Sequence, residues 1–91
     1  MKSGERKYTT LTAKLQRVQA RLEEVERELR AIEENWGGSP FRVNIIRYEH
    51  DPPMWNIVVQ ARNRYGYLLE ERETLREMAR ALQRRLKEGR P

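Results

Sequence analysis

Residues 41–62 read FRVNIIRYEHDPPMWNIVVQAR, and the conformation of this stretch decides the fold of the whole chain. Phe41, Val43 and Ile45 alternate with Arg42 and Asn44. After His50-Asp51-Pro52-Pro53, the residues Trp55, Ile57, Val59 and Ala61 alternate with Asn56, Val58, Gln60 and Arg62. Period-two alternation rich in β-branched and aromatic residues, on either side of a proline-bearing turn, predicts a short β-hairpin over about 41–49 and 54–62. A second reading competes. Asp51-Pro52 is also a good N-cap and first-turn pair for a helix starting near Pro53. Val58, Ala61, Tyr65 and Leu68 then keep a three-four spacing that runs on downstream. That helix would span about 36 residues and would contain Asn56, Asn63 and Gly66, all poor helix formers. The hairpin is the reading carried forward.

Upstream, Leu11, Leu15, Val18, Leu22, Val25, Leu29, Ile32 and Trp36 recur at alternating spacings of four and three. They line one seam of a helix over 9–36, with Lys, Arg, Gln and Glu between them. So narrow a stripe gains stability only against another helix, which is the coiled-coil pattern. Thr9 or Thr10 offers a hydroxyl N-cap after a polar, frayed segment 1–8. Glu23 with Arg27, and Glu26 with Arg30, stand four apart in the favourable order. Gly37-Gly38-Ser39-Pro40 ends the helix.

Downstream, Leu68, Leu75, Ala79 (with Met78), Leu82 and Leu86 define a second helix over 64–89, with Arg72 as a polar layer at a seam position. Glu70, Glu71 and Glu73 crowd its first turns and Arg84, Arg85 and Lys87 its last, matching the helix dipole. The predicted class is mainly α. It is a single domain over 1–91, an antiparallel two-helix coiled-coil hairpin with a connecting β-hairpin over 37–63.

Composition narrows the function classes. The chain has 91 residues, 37% of them hydrophobic, which points to a thin helical pair or an oligomer rather than a thick core. The absence of cysteine excludes disulfides, zinc-thiolate sites and thiol nucleophiles. No apolar run approaches a membrane span, and the start MKSGERKYTT lacks the apolar core of a signal peptide. The expected location is therefore cytoplasmic or virion-associated, with no membrane partner.

The net charge of +5 conceals an uneven distribution. Residues 1–21 hold six basic and one acidic side chains, and residues 22–35 hold two basic and six acidic. Residues 69–78 hold two basic and four acidic, and residues 79–91 hold five basic and one acidic. Doubling back antiparallel superposes like on like, giving a basic pole at the termini and an acidic middle.

Candidate chemistry is sparse. Glu49-His50-Asp51 is the one cluster with ligand character, but three consecutive residues do not converge on one ion and no second His or Cys exists. A Ser39, His50 and Asp51 set has nothing of a nucleophile elbow around it. No enzyme, no small-molecule substrate, no metal and no cofactor is expected. Phe41, Tyr48, Trp55, Tyr65 and Tyr67 interleave with Arg42, Arg47, Arg62 and Arg64. On a sheet, that pattern would suit stacking of a single nucleic-acid strand, or else the hairpin's buried face or a protein contact.

Two resemblances attach to particular residues. Trp36-Gly37-Gly38 between two helices resembles the Trp-x-Gly turn of the small helical-hairpin proteins exported by type VII systems, and Tyr67 with Glu71 is similar to that family's Tyr-xxx-Asp/Glu export signal. In that family the second helix follows almost at once and the tyrosine motif lies near the C-terminus. Here a 15-residue apolar insert intervenes and Tyr67 precedes the main helix. The order helix, β-hairpin, helix is similar to a β-type prefoldin subunit, without a shared motif. The chain is assigned to neither.

The leading expectation is a non-enzymatic assembly or adaptor protein. It would form a homo-oligomer or join a larger complex, in a virion for example, through Trp36, Phe41, Tyr48, Trp55 and Tyr65. The alternative is a DNA- or RNA-binding protein using Arg17, Arg21, Arg76, Arg80, Arg84 and Arg85 at the basic pole.

Overall fold

A computed structural model describes residues 3–89, with side chains described from Thr9 onward. Two long helices dominate it: α1, Ser3–Trp36, and α2, Pro52–Glu88. Between them, residues 37–51 contain two short 3₁₀ turns, Pro40–Arg42 and Ile45–Tyr48. The molecule measures 67 × 18 × 16 Å, which is one helical pair in cross-section.

The helices run antiparallel, because contacts across the seam join ascending positions of α1 to descending positions of α2. Arg21 meets Glu71, and seven residues further along α1 Glu28 meets Arg64, seven residues back along α2. The seam is the one the leucine spacing implies. Val18, Val25 and Leu29 of α1 are buried against Tyr65, Leu68, Leu75 and Ala79 of α2, with Leu15, Leu22, Ile32, Leu69 and Leu82 packed around them. Val25 and Leu68 are completely inaccessible, and each contributes about 1.5–3 kcal/mol through burial.

The β-hairpin expected over 41–49 and 54–62 does not form, and no strand occurs among the described residues. Residues 54–62 are the opening turns of α2. Asp51 caps that helix, its carboxylate accepting from the Met54 N–H at 3.3 Å, and Pro52 and Pro53 occupy positions whose missing amide protons cost the helix nothing. The spacing Val58, Ala61, Tyr65, Leu68 therefore outweighs β propensity, since Val58, Tyr65 and Leu68 all become buried on one face. With 54–62 helical, residues 41–49 have no strand to pair with, and they fold into side-chain-capped turns instead.

Other boundaries move as well. α1 begins at Ser3, so Thr9 and Thr10 lie inside it and do not cap it, and the expected fray over 1–8 is helix from Ser3 onward. Met1 and Lys2 lie outside the described residues. The connection spans 37–51 rather than 37–63, and α2 starts at Pro52 rather than at 64. The intrahelical pairs Glu23–Arg27 and Glu26–Arg30 are not made among the described residues; Glu26 instead reaches across to Arg76 at 3.6 Å.

Candidate interaction surfaces

The closed end is assembled by turn chemistry. Gly37 takes φ +68°, and the Gly38 N–H donates to the Glu33 carbonyl at 2.8 Å, closing α1 with a left-handed glycine cap. Ser39 Oγ accepts from the Phe41 N–H, and Asn44 Oδ1 accepts from the Ile46 N–H, both at 3.2 Å. Each short polar side chain thus starts one of the two tight turns.

The cross-helix register places Trp36 level with about residue 60, so the first two turns of α2 extend roughly 12 Å past α1. The linker takes α1's place there, and both short turns pack against α2. Pro40 and Val58 are completely buried at this end. Arg62 ties the linker down. Its Nε donates to the Pro40 carbonyl at 3.3 Å, and its Nη2 donates to the carbonyls of Phe41 at 3.4 Å and Val43 at 2.6 Å. One guanidinium therefore serves three linker carbonyls, of which only that of Pro40 has a backbone partner as well among the described residues, the Val43 N–H at 3.2 Å.

Tyr65 joins all three segments. Its hydroxyl donates to Glu33 Oε2 of α1 at 2.7 Å, and its ring meets Phe41 of the linker edge-on at 5.4 Å between centroids. The hydrogen bond to Glu33, with burial behind it, raises the phenol above its ordinary value, while the Ser39 hydroxyl acts weakly in the opposite direction. Tyr65 is only 6% exposed, so it belongs to the core and not to the interface set in which the sequence placed it.

The rest of that set lies at the closed end. Phe41 is 50% exposed, Trp55 37%, and Trp36 and Tyr48 are half-buried. Two side chains not singled out from the sequence join them: Ile46, 66% exposed, and Ile57, 49% exposed. Ile57 stands beside the buried seam residue Val58, past the end of α1, and so is left outside the contact. The proposed stacking platform of aromatics and arginines on a sheet is absent, because there is no sheet. Arg64 instead lies over the Tyr67 ring at 5.8 Å and pairs with Glu28 at 2.8 Å. Of the Glu49-His50-Asp51 cluster, His50 lies 3.3 Å from Glu49, and Asp51 is used as the α2 cap.

The cations fall into two groups. Arg21 makes a two-pronged bond to Glu71, at 2.6 and 2.9 Å, and reaches Glu24 at 3.1 Å. The pair raises the Arg21 pKa and holds the Glu71 carboxyl below its ordinary range, chiefly through that hydrogen bonding. Arg76 pairs with Glu26, and Arg80 with Glu73 at 3.8 Å. Three of the six arginines considered for nucleic acid, Arg21, Arg76 and Arg80, are thus engaged by glutamates. Arg17, Arg84 and Arg85, with Lys14 and Lys87, have no carboxylate within 4 Å among the described residues.

Three of those cations border a groove of about 410 Å³ between the helices at the open pole. Val18, Met78, Ala81 and Leu82 line it, and Lys14, Arg17 and Arg85 stand around it. No described helix is long and apolar enough to cross a membrane. Comparison of the chain with known protein families, with curated proteins and with solved structures finds no match. The layout likeness to prefoldin loses its central element with the missing β-hairpin. The Trp36-Gly37-Gly38 turn is real, but a 15-residue connection separates it from α2.

Proposed function

We propose that the protein is a non-enzymatic assembly or adaptor component that associates through its closed end. The observation that carries this reading is the concentration of Phe41, Ile46, Trp55 and Ile57, all well exposed, at one end of a chain whose mean hydropathy is −1.00. Exposed apolar side chains at one end of an otherwise charged rod favour association there, since each gains free energy when a partner removes it from water. The clasp made by Arg62 and Tyr65 supports the same reading, because it holds the patch in one shape before any partner arrives and so lowers the ordering cost of binding. A second copy of the chain is the simplest occupant, with a larger complex as the other.

Light scattering over a wide concentration range is the direct test. Mass should rise with concentration, and Ile46→Glu with Ile57→Glu should return it to 11 kDa with helicity unchanged. An 11 kDa monomer at every concentration refutes self-association.

DNA or RNA is the second reading, favoured by the unpaired Arg17, Arg84 and Arg85. A phosphate backbone using all six arginines would first have to displace the glutamates on Arg21, Arg76 and Arg80. Its mark would be affinity falling steeply with salt as counterions are released.

A further inference from the structure

We infer that the groove between α1 and α2 at the open pole is a docking site for an acidic amphipathic helix of a partner protein. This site lies at the opposite end from the closed-end patch and does not depend on self-association.

Two properties of the groove select the occupant. Its floor, Val18, Met78, Ala81 and Leu82, is apolar and comes from both helices. Met78 is 46% exposed there, and its flexible thioether adapts to whatever packs on it. Around the floor stand Lys14, Arg17 and Arg85, cations with no carboxylate of their own among the described residues. Along the middle of the pair Arg21, Arg64 and Arg76 are each answered by a glutamate from the other helix, while Arg27, Arg30 and Arg72 are not so paired among the described residues. Around the groove, by contrast, none of the three cations meets a carboxylate among the described residues. A helix bearing Leu or a similar residue at i, i+3, i+4 and i+7, with Glu or Asp beside them, supplies both the apolar ridge and the missing carboxylates. A polyphosphate would meet the cations but leave Met78 and Leu82 uncovered.

The test uses the full chain and a fluorescein-labelled Leu/Glu peptide of about five helical turns with leucine at those spacings. A peptide of the same composition in permuted order, an oligodeoxythymidylate, and vesicles of phosphatidylcholine with phosphatidylglycerol serve as comparators. The ordered peptide should bind, and the permuted one should bind about tenfold more weakly or worse. Met78→Asn, at an exposed position, and the double variant Arg17→Ser with Arg85→Ser should each weaken binding by a similar factor, with circular dichroism confirming intact helicity. The Ile46→Glu, Ile57→Glu chain should bind the peptide as wild type does, so loss of self-association leaves this result standing. Equal affinity for the two peptides, indifference to Met78→Asn, no binding of the ordered peptide, or tighter binding of the oligonucleotide or the vesicles overturns the assignment.

Discussion

Replacing Tyr65 with Phe removes one oxygen from the point where both helices and the linker meet. The ring stays, and with it the seam contact and the edge-on approach to Phe41. What goes is the 2.7 Å hydrogen bond to the Glu33 carboxylate. A bond to a charged acceptor contributes about 1.5–3 kcal/mol. Glu33 is only half-buried and regains water when the phenol leaves, which brings the loss to the floor of that range or just under it, about 1–1.5 kcal/mol. In a chain of this length that lowers the melting temperature by roughly 4–12 °C.

The same substitution has a pH signature. The Tyr65 pKa is raised in the folded state, by Glu33 first and by burial second. A raised pKa means that the contribution is complete below the unfolded phenol value, near 10, and is lost as pH rises through the folded value. The stability difference between wild type and Tyr65→Phe should therefore be constant from neutral pH to about 9 and shrink above 10. Urea unfolding followed by far-ultraviolet circular dichroism at a series of pH values measures it. A variant within about 0.3 kcal/mol of wild type, or a difference that does not change between pH 9 and 11, refutes the clasp.

Gly66 lies inside α2 with ordinary backbone angles, and a Cβ there would approach only the Phe41 ring edge, at 3.4 Å. Gly66→Ala should thus stabilise the fold by about 0.5–1 kcal/mol in urea titration. Arg62→Ala frees the Pro40, Phe41 and Val43 carbonyls from their shared donor, so trypsin should cut after Arg42 and Arg47 several times faster while helicity is retained. Arg21→Gln should move the Glu71 titration, followed by NMR, up toward 4.5. Because the folded Glu71 pKa is depressed, the stabilisation it reports exists above the unfolded value and is lost as pH falls through the folded one, so wild type and variant should converge in stability as the pH drops past that depressed value.

The seam residues were legible in the sequence because burial along a two-helix contact imposes one strict periodicity, and Leu11 to Trp36 obey it without interruption. Residues 54–62 were not, because their periodicity is ambiguous. Trp55, Ile57, Val59 and Ala61 satisfy a strand, and Val58, Ala61 and Tyr65 satisfy a helix. Local preference favoured the first, while the Asp51-Pro52-Pro53 start and burial of Val58 decided for the second. The turns over 39–48 carried a readable signal in Ser39 and Asn44, each two residues ahead of the amide it caps. The contacts of Arg62 with linker carbonyls and of Tyr65 with Glu33 were not readable, since they join positions 19 to 32 residues apart through a linker path that no pattern announces. For the same reason the interleaving with arginines grouped Tyr65 with the interface aromatics, although it packs in the seam.

The cations left without carboxylates at the open pole sit on both arms, Lys14 and Arg17 on one and Arg84, Arg85 and Lys87 on the other, while the far end is pinned by Arg62 and Tyr65. The molecule is built like a pair of tongs, with like charge as the spring between its arms and the clasp as its hinge. Because that repulsion is screened over about 8 Å at physiological salt, added salt or an anionic guest relaxes the spring, and any parting of the arms starts at the tips and runs toward the hinge.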